Sequence, residues 1–420
     1  VTDRRRQASD REHVLATAER YLCPDRVRTL RALGADLVIG RREGYRMWDL
    51  DGRELLDLHL NGGTYNLGHR NPELVDVLVR ALGELDIGNH HFPSVERAVL
   101  AERLVGLTPG GRYAVFGSSG GEAVDLAIKS ARRATGRRRV VSLSGAYHGH
   151  TGLALAAGDE RAAAAFLSAG APGEFVHVPF DDLPAAEAEL AAGDVAAVVV
   201  EPLPATVGFP VPSPGFLPGI AQACRRHGTA LVADEVQTGL GRTGPLWGVE
   251  RFGIVPDALV TAKGLSGGLY PISATLLSEQ LGAWLEEDGW GHVSTFGGAE
   301  VGCRVAAAVL DRTLDDATRE QAAHVTARFE AGLAELAARY PDWLVQVRQT
   351  GLVIGLRFAH PHGGMLMTGA LLRAGVWAIY AGFDPSVLQV KPGLLLTDAE
   401  IDRAVEALDA SCVAVAAAAS

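Results

Sequence analysis

Five short apolar runs in this chain each break off at a reactive or glycine-rich group, and that repetition constrains the fold more than any other feature. YAVF (113–116) leads into Gly117-Ser118-Ser119-Gly120-Gly121 and then into the helical stretch EAVDLAIKSARRA. RVVSLSG (139–145) leads into Ala146-Tyr147-His148-Gly149-His150. VAAVVV (195–200) stops at Glu201, ALVA (230–233) at Asp234-Glu235, and DALVTA (257–262) at Lys263, ahead of a glycine-rich turn. Short β-rich runs alternating with Ala-rich helical stretches specify an α/β fold with a largely parallel sheet. Open α/β sheets bind ligands at the carboxyl ends of their strands. Five such ends imply one assembled site, and no linker, low-complexity block or internal repeat interrupts the interior.

The length of 420 residues corresponds to two to three domains, and 48% hydrophobic with 21% charged residues predicts a packed core. A net charge of -11 argues against non-specific binding to nucleic acid or to an anionic membrane, both of which need a basic face. Cys23, Cys224, Cys303 and Cys412 are scattered without a CxxC pair, as buried thiols of a cytosolic protein would be. The N-terminal VTDRRRQASD has no apolar segment behind it and does not read as a signal peptide. No run approaches the roughly 18 apolar residues of a membrane span, so a cytoplasmic location is expected.

Of 39 basic residues only Lys129, Lys263 and Lys391 are lysine. Arginine cannot serve as an amine nucleophile, so each surviving lysine carries information. Lys263 ends an apolar strand and precedes Gly264, Gly267 and Gly268. Desolvation there lowers the pKa of the amine and makes it a better nucleophile; the competing reading is a lysine snorkelling from a strand end. Lys129 lies on a helix and reads as a solvated face residue, while Lys391, before Pro392, is ambiguous.

The loop 117–121 has three readings. Glycines ahead of a helix N-terminus leave N–H groups free for a phosphate, with Ser118 and Ser119 adding hydroxyls. The same residues fit GxSxG, the nucleophile elbow of hydrolases, and they also fit a plain tight turn. Asp234, ending an apolar strand, needs a cationic partner; a protonated pyridine nitrogen or a structural ion pair would supply one. Tyr147 is placed to stack on a flat ring. His148-x-His150 and His90-His91 lack a third ligand at a metal-site spacing, so no metal is expected and His148 reads as a hydrogen-bonded wall of the site.

Taken together these segments resemble the class III aminotransferases, of pyridoxal-phosphate fold type I. The resemblance runs from about Tyr45 to the C-terminal helix. YRMWDLDGRELLDLHLNGG and NLGHRNP are similar to the family's opening segment, SSGGEAVDLAIKSAR to its phosphate cup and GAYHGHT to its ring-stacking loop. LVADEVQTGLGRTG is similar to the strand carrying the pyridine-nitrogen Asp. PDALVTAKGLSGGLYPISA is similar to the lysine segment, and STFGGAEVGCRVAAAVL to a loop that crosses the dimer interface.

The resemblance implies pyridoxal 5'-phosphate as cofactor, held as a Schiff base on Lys263, with Asp234 facing the ring nitrogen. It places Val236 and Tyr147 on the two ring faces, Gln237 near the phenolic oxygen, and Glu201 beside Asp234. Ser119, Gly120 and Gly121 would bind the phosphate, joined by Thr295 from a partner subunit, which implies a homodimer with a shared active site. The architecture implied is a large domain (61–310) with a mainly parallel central sheet. A smaller α+β domain would be built from residues 1–60 and 311–420.

Three departures bear on the substrate: His150 and Gln389 stand where arginine is frequent in glutamate-using members, and Thr206 where a gating Glu is usual. They weaken 2-oxoglutarate as the acceptor. Gly121 also replaces a usual Thr or Ser, losing one hydroxyl. The reaction expected is transamination between an amine or amino acid and a keto acid or aldehyde. A lyase, decarboxylase or racemase on the same cofactor is the alternative, and a serine hydrolase with Ser119, Asp234 and His292 a more distant one. A non-enzymatic cofactor-binding scaffold would not need the amine of Lys263.

Overall fold

A computed structural model describes residues 10–88 and 91–419. The N-terminal segment read for a signal peptide lies, but for Asp10, outside the described residues, and so does His90.

The chain first forms three antiparallel strands: β1 (Ile39–Glu43), β2 (Arg46–Asp49) and β3 (Glu54–Asp57). Seven strands then make the central sheet: β4 (Tyr113–Gly117), β5 (Arg139–Leu143), β6 (Phe175–Val178), β7 (Val195–Val200), β8 (Ala230–Asp234), β9 (Ala258–Thr261) and β10 (Ser273–Leu277). Their spatial order is β4-β10-β9-β8-β7-β5-β6. From β9 through to β6 every pairing is parallel, and β10 alone runs antiparallel to both neighbours. This is the α/β, mainly parallel arrangement expected of fold type I.

Every residue of β7 and β8 is buried, because helices cover both faces of the sheet. Alternate side chains enter opposite cores. Val195, Val198 and Val200 join Leu231 and Ala233 on one side, while Ala197 and Val199 join Ala230 and Val232 on the other. The helix Gly120–Thr135 packs on the second side through Val124, Ala127, Ile128 and Ala131. Its first turn therefore lies directly against the ends of the central strands.

A further sheet consists of β11 (Leu344–Thr350), β12 (Val353–Phe358), β14 (Ile379–Ala381) and β15 (Asp384–Val390). The short β13 (Val376–Trp377) pairs in parallel with β3, joining the N-terminal strands to the C-terminal part of the chain. Tyr45, Leu56 and Leu58 share a core with Phe329, Leu371, Leu388 and Leu408. Among the described residues no helix is long and apolar enough to cross a membrane.

Candidate active site

The five strand ends converge on a cleft of about 590 Å³ whose lining includes Ser119, Gly120, Tyr147, His148, Asp234 and Lys263. Gly121, Glu201, Val236 and Gln237 line it as well. Thr295 is exposed and does not line the cleft of its own chain.

Lys263 enters from the turn after β9 with a φ of 38°, a left-handed conformation that costs of order 1–3 kcal/mol for a residue with a Cβ. Burial lowers its pKa from the ordinary lysine value, with Asp234 and Glu201 acting in the opposite direction. Across from it lies a turn made wholly of positive-φ residues: Leu60 (50°), Asn61 (48°), Gly62 (73°) and Gly63 (94°). Asp57 organises this turn, its Oδ1 accepting from the N–H of His59 at 2.9 Å and of Leu60 at 2.8 Å. A Cβ on Gly62 would sit 3.0 Å from Lys263 Cε and 3.2 Å from Gln237 Oε1. The turn therefore presses against both side chains.

Asp234 ends β8 fully inside the protein. Its Oδ1 accepts from Val236 N–H at 3.1 Å, and its Oδ2 meets His148 Nδ1 at 2.8 Å. Burial lowers the pKa of His148, but the hydrogen bond to Asp234 and the charges of Asp234 and Glu201 together outweigh it and leave the imidazole above its ordinary value. Glu201 accepts from Tyr147 N–H at 2.9 Å and from Ala205 N–H at 3.3 Å, tying the end of β7 to the loop that carries Tyr147. The Tyr147 ring lies 5.2 Å from that of His150.

The loop after β4 forms a capped helix start. Ser119 is the N-cap, with φ -149° and ψ 156°, and accepts from Glu122 N–H at 3.2 Å. That relaxed extended backbone is not the strained elbow a hydrolase nucleophile needs. Nor does a triad form: Asp234 pairs with His148, whereas His292 faces Lys129 at 3.3 Å and Glu122 at 3.9 Å. The hydrolase reading of Ser119, Asp234 and His292 is therefore overturned.

Sequence reasoning missed Thr151. A Cβ on Gly121 would lie 2.7 Å from Thr151 Oγ1, so the hydroxyl of the next loop occupies the space a side chain at 121 would take, and Thr151 lines the cleft. The signal was available as the threonine closing GAYHGHT. Lys129 is exposed as expected, while the ambiguous Lys391 is 1% exposed. Lys391 donates to Gln389, whose Nε2 donates to Ala205 O at 2.8 Å. Gln389 is thus bound into the wall. Thr206 is held likewise, donating to Gly145 O at 2.6 Å.

The cleft fits pyridoxal phosphate on its own features. It joins a desolvated amine, a carboxylate at the neighbouring strand end and a glycine-lined helix start. It also holds two buried polar atoms without partners among the described residues, His148 Nε2 and Gln237 Oε1.

Two buried carboxyls near these groups, Glu201 and Glu235, are each pushed up to about 7, chiefly by burial. Their protonated forms favour the folded state. The stability they contribute is complete below the unfolded carboxylate value near ~4.3 and is lost as pH rises through about 7. The melting midpoint should therefore fall as pH rises from about 4.5 to about 7.5 and level off above that. Glu235→Gln, which retains an acceptor for Val249 N–H, should flatten that fall; an unchanged slope would contradict the assignment.

Comparison with known proteins places this geometry. The model of the family described as aminotransferase class-III matches residues 31–411. The chain is 47% identical over 390 residues to an uncharacterised aminotransferase of Archaeoglobus fulgidus, covering 93% of this chain and 91% of that protein. It is 32% identical to a putrescine aminotransferase of Pectobacterium atrosepticum, covering 85% and 78% respectively. The crystal structure of the ornithine aminotransferase from Toxoplasma gondii superposes with a TM-score of 0.86 at 26% identity, covering 96% of this chain and 95% of that one.

Proposed function

Because this chain belongs to the class-III aminotransferases and uses pyridoxal phosphate to transfer amino groups, we propose that Lys263 and Asp234 carry the chemistry and that the amino donor lacks a carboxylate beside its reacting carbon. The reading rests on the buried Lys263 amine and the Asp234 carboxylate lining one cleft from adjacent strands.

When bound, the cofactor supplies an electron sink for the pair released as a substrate C–H bond breaks. Lys263 Nζ would hold it, and the free amine would take and return the proton at the reacting carbon. Burial serves this role, because a lowered pKa leaves Nζ free to accept that proton. Asp234 would face the ring nitrogen, its carboxylate held in place by His148. Val236 and Tyr147 would flank the ring and Gln237 would lie near the phenolic oxygen, while Glu201 anchors the Tyr147 loop. Ser119, Gly120, Gly121 and Thr151 would hold the phosphate. Residues 61–310 would form the cofactor domain, with 1–60 and 311–420 the smaller lobe.

A homodimer would complete the site, with Thr295 of the partner subunit reaching the phosphate. Thr295 sits among exposed apolar side chains, Trp290 (65%), Val293 (63%) and Phe296 (52%). Phe92 and Val95 extend this surface at 76% and 72% exposure, and the His91 and Trp290 rings meet at 4.8 Å. Such a patch is expected to be covered by a second copy.

The donor class follows from charge. Among the described residues none of the many arginines lines the cleft, and Lys263 is its only lysine. A carboxylate beside the reacting carbon would face Glu201 and Asp234 with no guanidinium to hold it. The 32% identical relative named a putrescine aminotransferase agrees with an amine donor. Mixing the enzyme with a diamine and no acceptor should release one equivalent of carbonyl product per chain. α-Amino acids should react at least about tenfold more slowly, the loss of one charge-assisted contact. Faster reaction with the amino acids would reverse the donor assignment, and acceptor-free multiple turnover releasing carbon dioxide or phosphate would favour a lyase.

A further inference from the structure

A second pocket, of about 350 Å³, opens where the β1–β2 hairpin meets the segment before the helix Pro72–Leu82. It shares no lining residue with the cleft. Arg41, Arg42, Glu43, His69 and Arg70 line it. The two segments are clamped together: His69 N–H donates to Gly44 O at 2.6 Å, and a Cβ on Gly68 would lie 3.3 Å from the Gly44 backbone. The pocket is therefore preformed.

Its charges do not cancel. Glu43 is engaged by Arg41, which also stacks over Trp48 at 4.4 Å. Arg42 donates only to Gly40 O, at 3.3 Å. Arg70 makes no ion pair among the described residues, although its charge helps lower the Glu43 pKa, and it is held at φ 50°. That left-handed backbone is costly for a side chain of this size. Three guanidinium groups thus share one carboxylate, and the pocket keeps a positive charge that an anion would meet.

The wall adds a more specific feature. His69 is 4% exposed, and its Nε2 lies 2.9 Å from Asp57 Oδ2. Asp57 already accepts two backbone N–H groups through Oδ1, so it is the acceptor in this pair and Nε2 carries the hydrogen. Nδ1 is left buried and without a partner among the described residues, as an acceptor for an incoming O–H. An oxyanion that keeps one hydroxyl would satisfy both halves of the pocket. We propose that this pocket binds a phosphate group, its anionic oxygens on Arg42 and Arg70 and its hydroxyl donating to His69 Nδ1. Phosphate carries such a proton near neutrality; sulfate does not.

Calorimetric titration of the cofactor-loaded enzyme keeps the cleft occupied and isolates this pocket. With ionic strength held constant by chloride, inorganic phosphate should show one saturable site per chain. The double variant Arg42→Gln/Arg70→Gln alters only exposed side chains and should weaken binding at least about tenfold. Sulfate should bind several-fold more weakly than phosphate. Glycerol 3-phosphate distinguishes the source: tighter binding than inorganic phosphate identifies a phosphate monoester, and weaker binding identifies free phosphate. Absence of saturable binding, or an unaffected double variant, would overturn the site; sulfate binding as tightly as phosphate would overturn the role of His69.

Discussion

Replacing Lys263 with alanine should abolish amino transfer, lowering turnover by roughly 10⁴-fold or more, the upper range for loss of a positioned proton-transfer group. The same change should remove the long-wavelength absorption of lysine-bound cofactor. Two proposed roles meet in this side chain, covalent attachment and proton movement at Nζ, and alanine removes both. Lys263→Arg separates charge from nucleophilicity, because a guanidinium keeps the charge but neither attacks a carbonyl nor gives up its proton. It should be as inactive as the alanine variant, and substantial activity in it would mean that Lys263 acts only as a cation. Folding should survive either change. The strained φ of 38° belongs to the turn, and alanine at 263 relieves the enclosure of a desolvated amine. A circular dichroism spectrum and melting midpoint close to those of the parent would establish that the loss is chemical.

The legible part of this site was the part built at strand ends. Glu201, Asp234 and Lys263 each interrupt an apolar run, and a charged group there is visible because burying it is costly. β10 was not read, for a physical reason: it runs antiparallel, so its carboxyl end lies away from the cleft and carries none of the chemistry. Lys391 was ambiguous because its partner, Gln389, belongs to the same strand segment, while the acceptor beyond it, Ala205 O, lies 184 positions away. Thr151 escaped because the consequence of glycine at 121 appears only when the Gly149 loop is folded against it; a Cβ on Gly149 would come 2.7 Å from Gly121 Cα. The tight turn at 60–63 was quoted as sequence, but its pressure on Lys263 depends on a contact spanning some 200 residues. Hydrophobic pattern and strand-end chemistry are local, whereas the neighbours that tune each group arrive through tertiary packing.

The second large effect is expected at Asp234. Asn preserves the shape of the side chain and an acceptor for Val236 N–H, now at 3.1 Å from Oδ1, but removes the charge. Breaking one side of a buried ion pair costs roughly 3–5 kcal/mol. If that energy is felt wholly when the ring must accept electrons, turnover should fall by about two to three and a half orders of magnitude. Cofactor should still bind, since the residues proposed to hold its phosphate, Ser119, Gly120 and Thr151, are unchanged. The predicted split is therefore a large drop in kcat with retained cofactor absorption. His148 provides an independent readout. Its imidazole lies above its ordinary pKa because, against burial, it donates to Asp234 and feels the charges of Asp234 and Glu201. A raised histidine pKa stabilises the fold below the unfolded value near ~6.5, and this contribution disappears as pH rises through the folded value. Asp234→Asn should erase that contribution, narrowing the difference in melting midpoint between acidic and alkaline conditions. A proton-detected titration of His148 should move to lower pH. Full activity in Asp234→Asn with an unmoved His148 would remove Asp234 from the chemistry, leaving its position at the end of β8 as structural alone.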